Sequence, residues 1–191
     1  MHRYRYISRL LAFALLVLQG LVLGANLFAD EAEQRRVEIS MSIFPRIVAV
    51  DNDFRNKLME GNRAQLMFVY DKDARYAQKL AEQIKNDSDN IGGMAVETAV
   101  VNVADELSAT SPPTAIFITE KLTDAKLQTV MEFANATQRL VFSPFLGDVE
   151  RGVTVGISVT NRVKPFFNLP ALRTSKVTIN ALLMKMSKRH E

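Results

Sequence analysis

The chain has 191 residues, 24 lysines and arginines against 21 aspartates and glutamates, 48% hydrophobic residues and no cysteine. Without cysteine there is neither a disulfide framework nor a thiol nucleophile, and with histidine only at positions 2 and 190 both Ser-His-Asp chemistry and a His/Cys zinc site lack their central group. An enzyme is therefore not expected, no cofactor is called for, and only carboxylate chemistry is left to consider.

The chain opens with Arg3, Arg5 and Arg9 ahead of the apolar run Leu10 to Leu18, followed by the small-residue site Leu27 to Ala29 and then Asp30 and Glu31. This is the layout of a cleaved signal peptide over residues 1–29. The alternative is an uncleaved anchor, since Leu10 to Ala29 is 20 residues long and about 20 apolar residues span a bilayer. Gln19, Gly20, Gly24 and Asn26 dilute the second half of that run and favour cleavage. Both readings leave the arginines behind and send the rest of the chain across the membrane. The leader takes His2 and all of the charge excess with it, leaving 21 basic and 21 acidic residues over 30–191. Those 162 residues suit one domain, and their neutrality argues against nucleic acid as a partner.

From Val37 to Ile43 the apolar residues alternate as in a strand, so an extended piece is expected, crossing into a helix near Asp53 after the interruption at Pro45. Phe44-Pro45-Arg46 then reads either as a partner contact or, for Phe44, as core. The pairs Asp51/Asp53 and Asp71/Asp73 have the spacing of a hard-cation site, but aspartate is also the residue of turns and helix caps, and no metal is expected. Gln65 to Tyr70 is an unbroken apolar run, a central strand. Ala74 to Asn86 follows as a helix with Ala77, Leu80, Ala81 and Ile84 on one face, and Asn86 to Gly93 breaks it. Val96 to Val103 and Thr114 to Thr119 are further strands. Thr123 caps the next helix, with Leu122 and Leu127 placed as a hydrophobic staple, and Arg139 to Ser143 is a fourth strand. This order predicts an α/β domain of three layers, α/β/α, with a mainly parallel sheet and right-handed crossovers.

The last third changes rhythm. Val153, Val155, Ile157 and Val159 alternate with polar residues, predicting an antiparallel strand that turns through Asn161-Arg162 into Val163 to Phe167. Asn168 caps a short turn containing Pro170. A closing helix from Asn180 carries Ile179, Leu182, Leu183 and Met186 toward the core, with Lys185, Lys188 and Arg189 read as cations of its last turn.

Gly152, the alternating run Val153 to Val159, Asn161, Val163, Asn168-Leu169 and Leu182-Leu183 fill the places of the C-terminal pattern of the YfiR-like periplasmic proteins, which the chain resembles over most of residues 66–188. Two departures stand out: Glu150-Arg151-Gly152-Val153 replaces the family's Gly-Gly-Met, and Phe44-Pro45 lacks the tryptophan of its Phe-x-x-x-Trp-Pro segment. The resemblance implies a periplasmic regulator that restrains a membrane-bound signalling protein, a diguanylate cyclase, by holding its periplasmic sensor domain. Whether the chain also forms a homodimer stays open. Interfaces are anchored by aromatic and large apolar residues, so the expected contacts are Phe44, Arg46, Phe166 and Phe167, with Phe166 foremost. The alternative is a small-ligand sensor using the crevice at the carboxyl ends of the strands, near Asp71, Asn102, Thr119, Glu120 and Ser143.

Overall fold

A computed structural model describes residues 31–104, 107 and 111–191, and the leader read at 1–29 lies outside these. The chain divides into two compact units, one up to Arg35 and one from Arg36 onward. Of the first, the described residues 31–35 are exposed helix; all that follows concerns the second.

The sheet is built from β1 (Ala64–Tyr70), β2 (Asn90–Ile91), β3 (Met94–Asn102), β4 (Ala115–Ile118), β5 (Leu140–Phe142), β6 (Val155–Val159), β7 (Val163–Asn168) and β8 (Lys188–His190), in the order β2-β3-β1-β4-β5-β6-β7-β8. Strands β3, β1, β4, β5 and β6 pair in parallel, β7 runs antiparallel to β6, and β8 runs parallel to β7. The expected α/β/α architecture with a mainly parallel sheet and a later antiparallel hairpin is thus the fold observed. From the β1/β4 pair the chain crosses to β3 on one side and to β5 on the other. Right-handed connections then place the crossover helices α2 (Ala74–Asp87) and α3 (Asp124–Thr137) on opposite faces.

Local signals explain the helix ends. The Asp73 carboxylate accepts the Tyr76 amide and caps α2, and the Thr123 hydroxyl caps α3. Asn168 accepts the Ala171 amide to start α4 (Leu169–Thr174), with Pro170 in its first turn, where a missing N–H costs nothing.

Between 37 and 48 the expectation of a strand fails. Within this unit helix α1 covers 36–48, and Val37, Ser40, Met41, Phe44, Ile47 and Val48 are its buried stripe. The alternation of Val37, Ile39, Met41 and Ile43 competed with this 3.6-residue spacing, and packing decided between them. Pro45 removes one ladder bond, the one its missing N–H would make to the Met41 carbonyl, while its own carbonyl still accepts from Ala49. Phe44 is fully buried. Its ring lies 5.2 Å from Phe117 and 5.5 Å from Phe142, and Phe68, Phe117 and Phe142 are register partners across β1, β4 and β5. Four phenylalanines from one helix and three strands therefore fill the middle of the core.

The amino ends of the strands are closed by a polar staple. Asp51 accepts the Asp53 amide and pairs with Lys57 at 2.5 Å, with both side chains at 5% exposure or less. The Lys57 carbonyl accepts the Thr114 hydroxyl, and that hydroxyl accepts the Gln65 amide at the head of β1. Arg139 donates to the Pro113 carbonyl; burial lowers its pKa from the ordinary arginine value, with Asp51 opposing.

Three further corrections concern the last third. The hairpin pairs Val159 with Val163, so its loop is Thr160 to Arg162 and not two residues; this register sets Val155 and Ile157 opposite Phe167 and Pro165. The closing helix α5 (Ala181–Met186) buries no residue fully, and Leu182 and Met186 face solvent at 69% and 62% exposure. Lys188 and Arg189 are not in its last turn: they belong to β8, a strand too short and too charged to show a period.

Candidate functional site

Three places in this unit gather polar groups or hollow surface that could serve a ligand or partner. The first is the crevice at the carboxyl ends of β1 and β4, where the strand order reverses. Asp71, Asn102 and Glu120 do converge there. Glu120 Oε1 accepts the backbone N–H groups of Asp71, Lys72 and Asp73 at 2.7, 2.7 and 3.0 Å, so an internal carboxylate fills the anion nest that precedes α2. Lys126 pairs with the Asp71 carboxylate, and Asn102 donates to the Asp71 carbonyl. Thr119 and Ser143 lie beneath, both buried. Thr119 Oγ1 donates to the Val69 carbonyl at 2.9 Å, and Ser143 Oγ donates to Asp148 Oδ2 at 2.6 Å. The polar atoms of these five residues are taken up by backbone groups and by Lys126 and Asp148. The two aspartate pairs have similar duties: Asp51 pairs with Lys57, Asp71 with Lys126, and Asp73 caps α2. Among the described residues no group of three or more His, Cys, Asp or Glu is placed to hold a metal.

The second place is a groove of about 540 Å³ between α3 and α4, floored by Leu127, Met131, Pro170 and Ala171. Arg151 stands at one end. Its Nη1 donates to the fully buried Asp148, its Nη2 to the Leu122 carbonyl, and its Nε and Nη2 to Asp124. Burial works against the charged guanidinium, but hydrogen bonds to Asp124 and Asp148 outweigh it and raise its pKa above the ordinary value. Arg151 stays charged at any working pH.

The third place is a smaller hollow of about 210 Å³ beside the β6–β7 hairpin, lined by Phe145, Val149, Ile157 and Phe166 and rimmed by Arg36, Glu150 and Lys188. Leu146 stands over it at 77% exposure, with Val159 and Val163 nearby on the hairpin at 43% and 40%. Leu146 and Val159 both line the hollow, and Val163 pairs with Val159 across the hairpin. Gly147, next to Leu146, takes φ +90, a backbone region that favours glycine.

Of the expected partner contacts, Arg46 is exposed on α1, whereas Phe44 and Phe167 belong to the core. Phe166, expected foremost, is only 6% exposed because the Lys188 ammonium lies over its ring, 4.1 Å from the centroid. Alternation rightly puts Phe166 and Phe167 on opposite faces, but this strand is covered on both. Around this hollow the apolar residues that do face water are Leu146, Val159 and Val163. Val159 and Val163 were readable as the two flanks of a turn; Leu146 carried no periodic signal.

No family model matches the chain. No curated protein matches it either. Among solved structures, the ABC domain in complex with L-Trp from Streptococcus pneumonia is similar over 75% of this chain and 61% of its own, with 15% identity and a TM-score of 0.50. A conserved domain protein from Vibrio cholerae is similar over 74% of this chain and 60% of its own, with 17% identity and a TM-score of 0.52. The chain thus spans about three fifths of either neighbour, and at such identities the likeness is one of fold.

Proposed function

We propose that the chain is an exported, non-catalytic regulator of the YfiR-like kind, which restrains a membrane-bound diguanylate cyclase by docking on its periplasmic sensor domain through the hairpin surface around Leu146, Val159 and Val163. The observation that carries this reading is the exposed apolar cluster above a hollow, the arrangement in which interface anchors are found. The sequence resemblance supports it, and its signature residues have work to do: Gly152 takes φ +110, and Asn168 both caps α4 and donates to the Val149 carbonyl at 2.7 Å, fixing the loop beneath the hollow. Export supplies the compartment in which such a sensor domain is met.

The test is cyclic-di-GMP in cells carrying Leu146→Glu with Val163→Glu, compared with deletion of the gene. The nucleotide rises to the deletion level while the variant is still exported and folded. Wild-type levels with both charges in place overturn the reading.

The groove between α3 and α4 favours a second reading, a small-ligand sensor: its volume is that of a ligand site, and one fold neighbour was solved with L-Trp. A melting-temperature rise with a soluble metabolite, lost when Met131→Trp fills the groove, supports this reading.

A further inference from the structure

The neutrality of residues 30–191 hides a strong polarity. Residues 30–151 carry fourteen lysines and arginines against twenty acids, whereas 152–191 carry seven against one, Glu191. Charge asymmetry of this kind points to an anionic partner. The fold gathers the seven toward one end, because β7 and β8 pair at the edge of the sheet, α4 packs on both, and α5 leads directly into β8. Arg162 and Lys164 lie on the hairpin, Arg173 and Lys176 in and just after α4, and Lys185, Lys188 and Arg189 on α5 and β8; all are exposed. None of the ion pairs among the described residues uses any of them. Cations placed together without counter-charges repel one another, a cost that a polyanionic surface would relieve.

The same end presents apolar groups. Leu182 and Met186 stand one helical turn apart on α5, so they share a face, and that face points to water, while Leu183 and Met184 pack against the core. Lys185, Lys188 and Arg189 border the exposed pair in sequence. Neither cavity described above includes Leu182 or Met186. Two apolar side chains standing free among unpaired cations, with charge spread over four elements, suit a broad anionic surface with a soft apolar layer beneath it.

We infer that the β7–β8 end docks on anionic lipid bilayers, with its seven cations on the headgroups and Leu182 and Met186 entering the acyl boundary. This goes beyond the proposed function, and it places a membrane-facing side next to the hairpin surface. A regulator held on the bilayer would meet a membrane-bound partner in two dimensions.

The experiment is cosedimentation of the full chain with phosphatidylcholine vesicles containing about 30% phosphatidylglycerol, against phosphatidylcholine alone, at about 0.05 M and about 0.5 M salt. The chain binds the anionic vesicles at low salt and is released at high salt. In Lys185→Glu/Lys188→Glu/Arg189→Glu, affinity falls by roughly fivefold or more for each cation changed. Leu182→Ser/Met186→Ser weakens binding at low salt with every cation still in place. Any contribution from residues 1–29 is common to wild type and variants and cancels in the comparison. Should charge reversal perturb folding, Lys185→Gln/Lys188→Gln tests the same point more gently. Equal binding by wild type and the charge variants overturns the proposal. So does wild type that ignores anionic vesicles but binds an acidic polypeptide such as polyglutamate, which would assign the surface to an acidic protein. The cyclase result with Leu146→Glu/Val163→Glu is read separately, so either idea can fail alone.

Discussion

In the parallel half of the sheet Phe44, Phe68, Phe117 and Phe142 are wholly buried, and even the ion pair at its foot, Asp51 with Lys57, is sealed from water. At the β7–β8 end, seven cations stand in solvent and the closing helix buries no residue fully. The first region turns its rings and this ion pair inward on itself, so substitutions there act on stability. The second has left charge and apolar surface unspent, so substitutions there should spare the fold and change what it binds.

The largest effect expected is that of Phe44→Ala. It removes the ring that joins α1 to the phenylalanine row on β1, β4 and β5, and large-to-small changes of buried phenylalanine cost about 3 to 5 kcal/mol. The denaturant midpoint should fall with little change in slope. Were Phe44 a partner anchor, stability would hold and only binding would suffer.

Lys57→Met comes next. It leaves the Asp51 carboxylate buried with the Asp53 amide as its hydrogen-bond donor and Arg139 as the nearby cation, and breaking a sealed pair from one side costs about 3 kcal/mol or more. Asp51→Asn added to Lys57→Met should recover most of that loss, because a neutral amide no longer needs the counter-charge. A double variant as unstable as the single would show that Lys57 stabilises through its packed stem and not through its charge.

Gly156→Ala is expected to be milder and tests the junction of the two regions. A Cβ at 156 would lie 2.8 Å from the Ser143 carbonyl oxygen and 2.8 Å from Val149 Cγ2. The side chain can shift but the backbone oxygen cannot easily do so, and overpacking of this kind costs about 1 to 3 kcal/mol. Melting should fall, and because Val149 lines the hairpin hollow, partner restraint should weaken with it.

These regions also differ in how readable they were. Helix α3 was plain because cap, staple and stripe agree at Thr123, Leu122/Leu127 and Val130/Met131, and β1 was plain because the five apolar residues Leu66 to Tyr70, stopped by Asp71, have the length of a strand covered on both faces. α1 was obscured because Val37 and Met41 fit both a two-residue and a 3.6-residue period, while Pro45 argued for a break. At the other end the signals were short or cancelled. β8 is three residues long and pairs only through a neighbour brought to it by the fold. Phe166 looked like an anchor because sequence does not show that Lys188 would cover it. The charge polarity was present in the sequence, yet a net charge of zero over 30–191 concealed it until the topology put the basic residues together.

The smallest effect expected is the most telling for the contrast. Leu182→Ala and Met186→Ala remove apolar atoms already in water, so each should change stability by no more than about 0.5 kcal/mol, against several for Phe44→Ala. A loss above about 1.5 kcal/mol at either position, measured by denaturant unfolding, would mean that α5 is held by its outer face and belongs with the core. If both are neutral, their exposure costs the folded chain nothing in stability. Leu182 and Met186 can then be replaced by serine with the fold intact, and a change in vesicle binding can be read as a change at the surface itself.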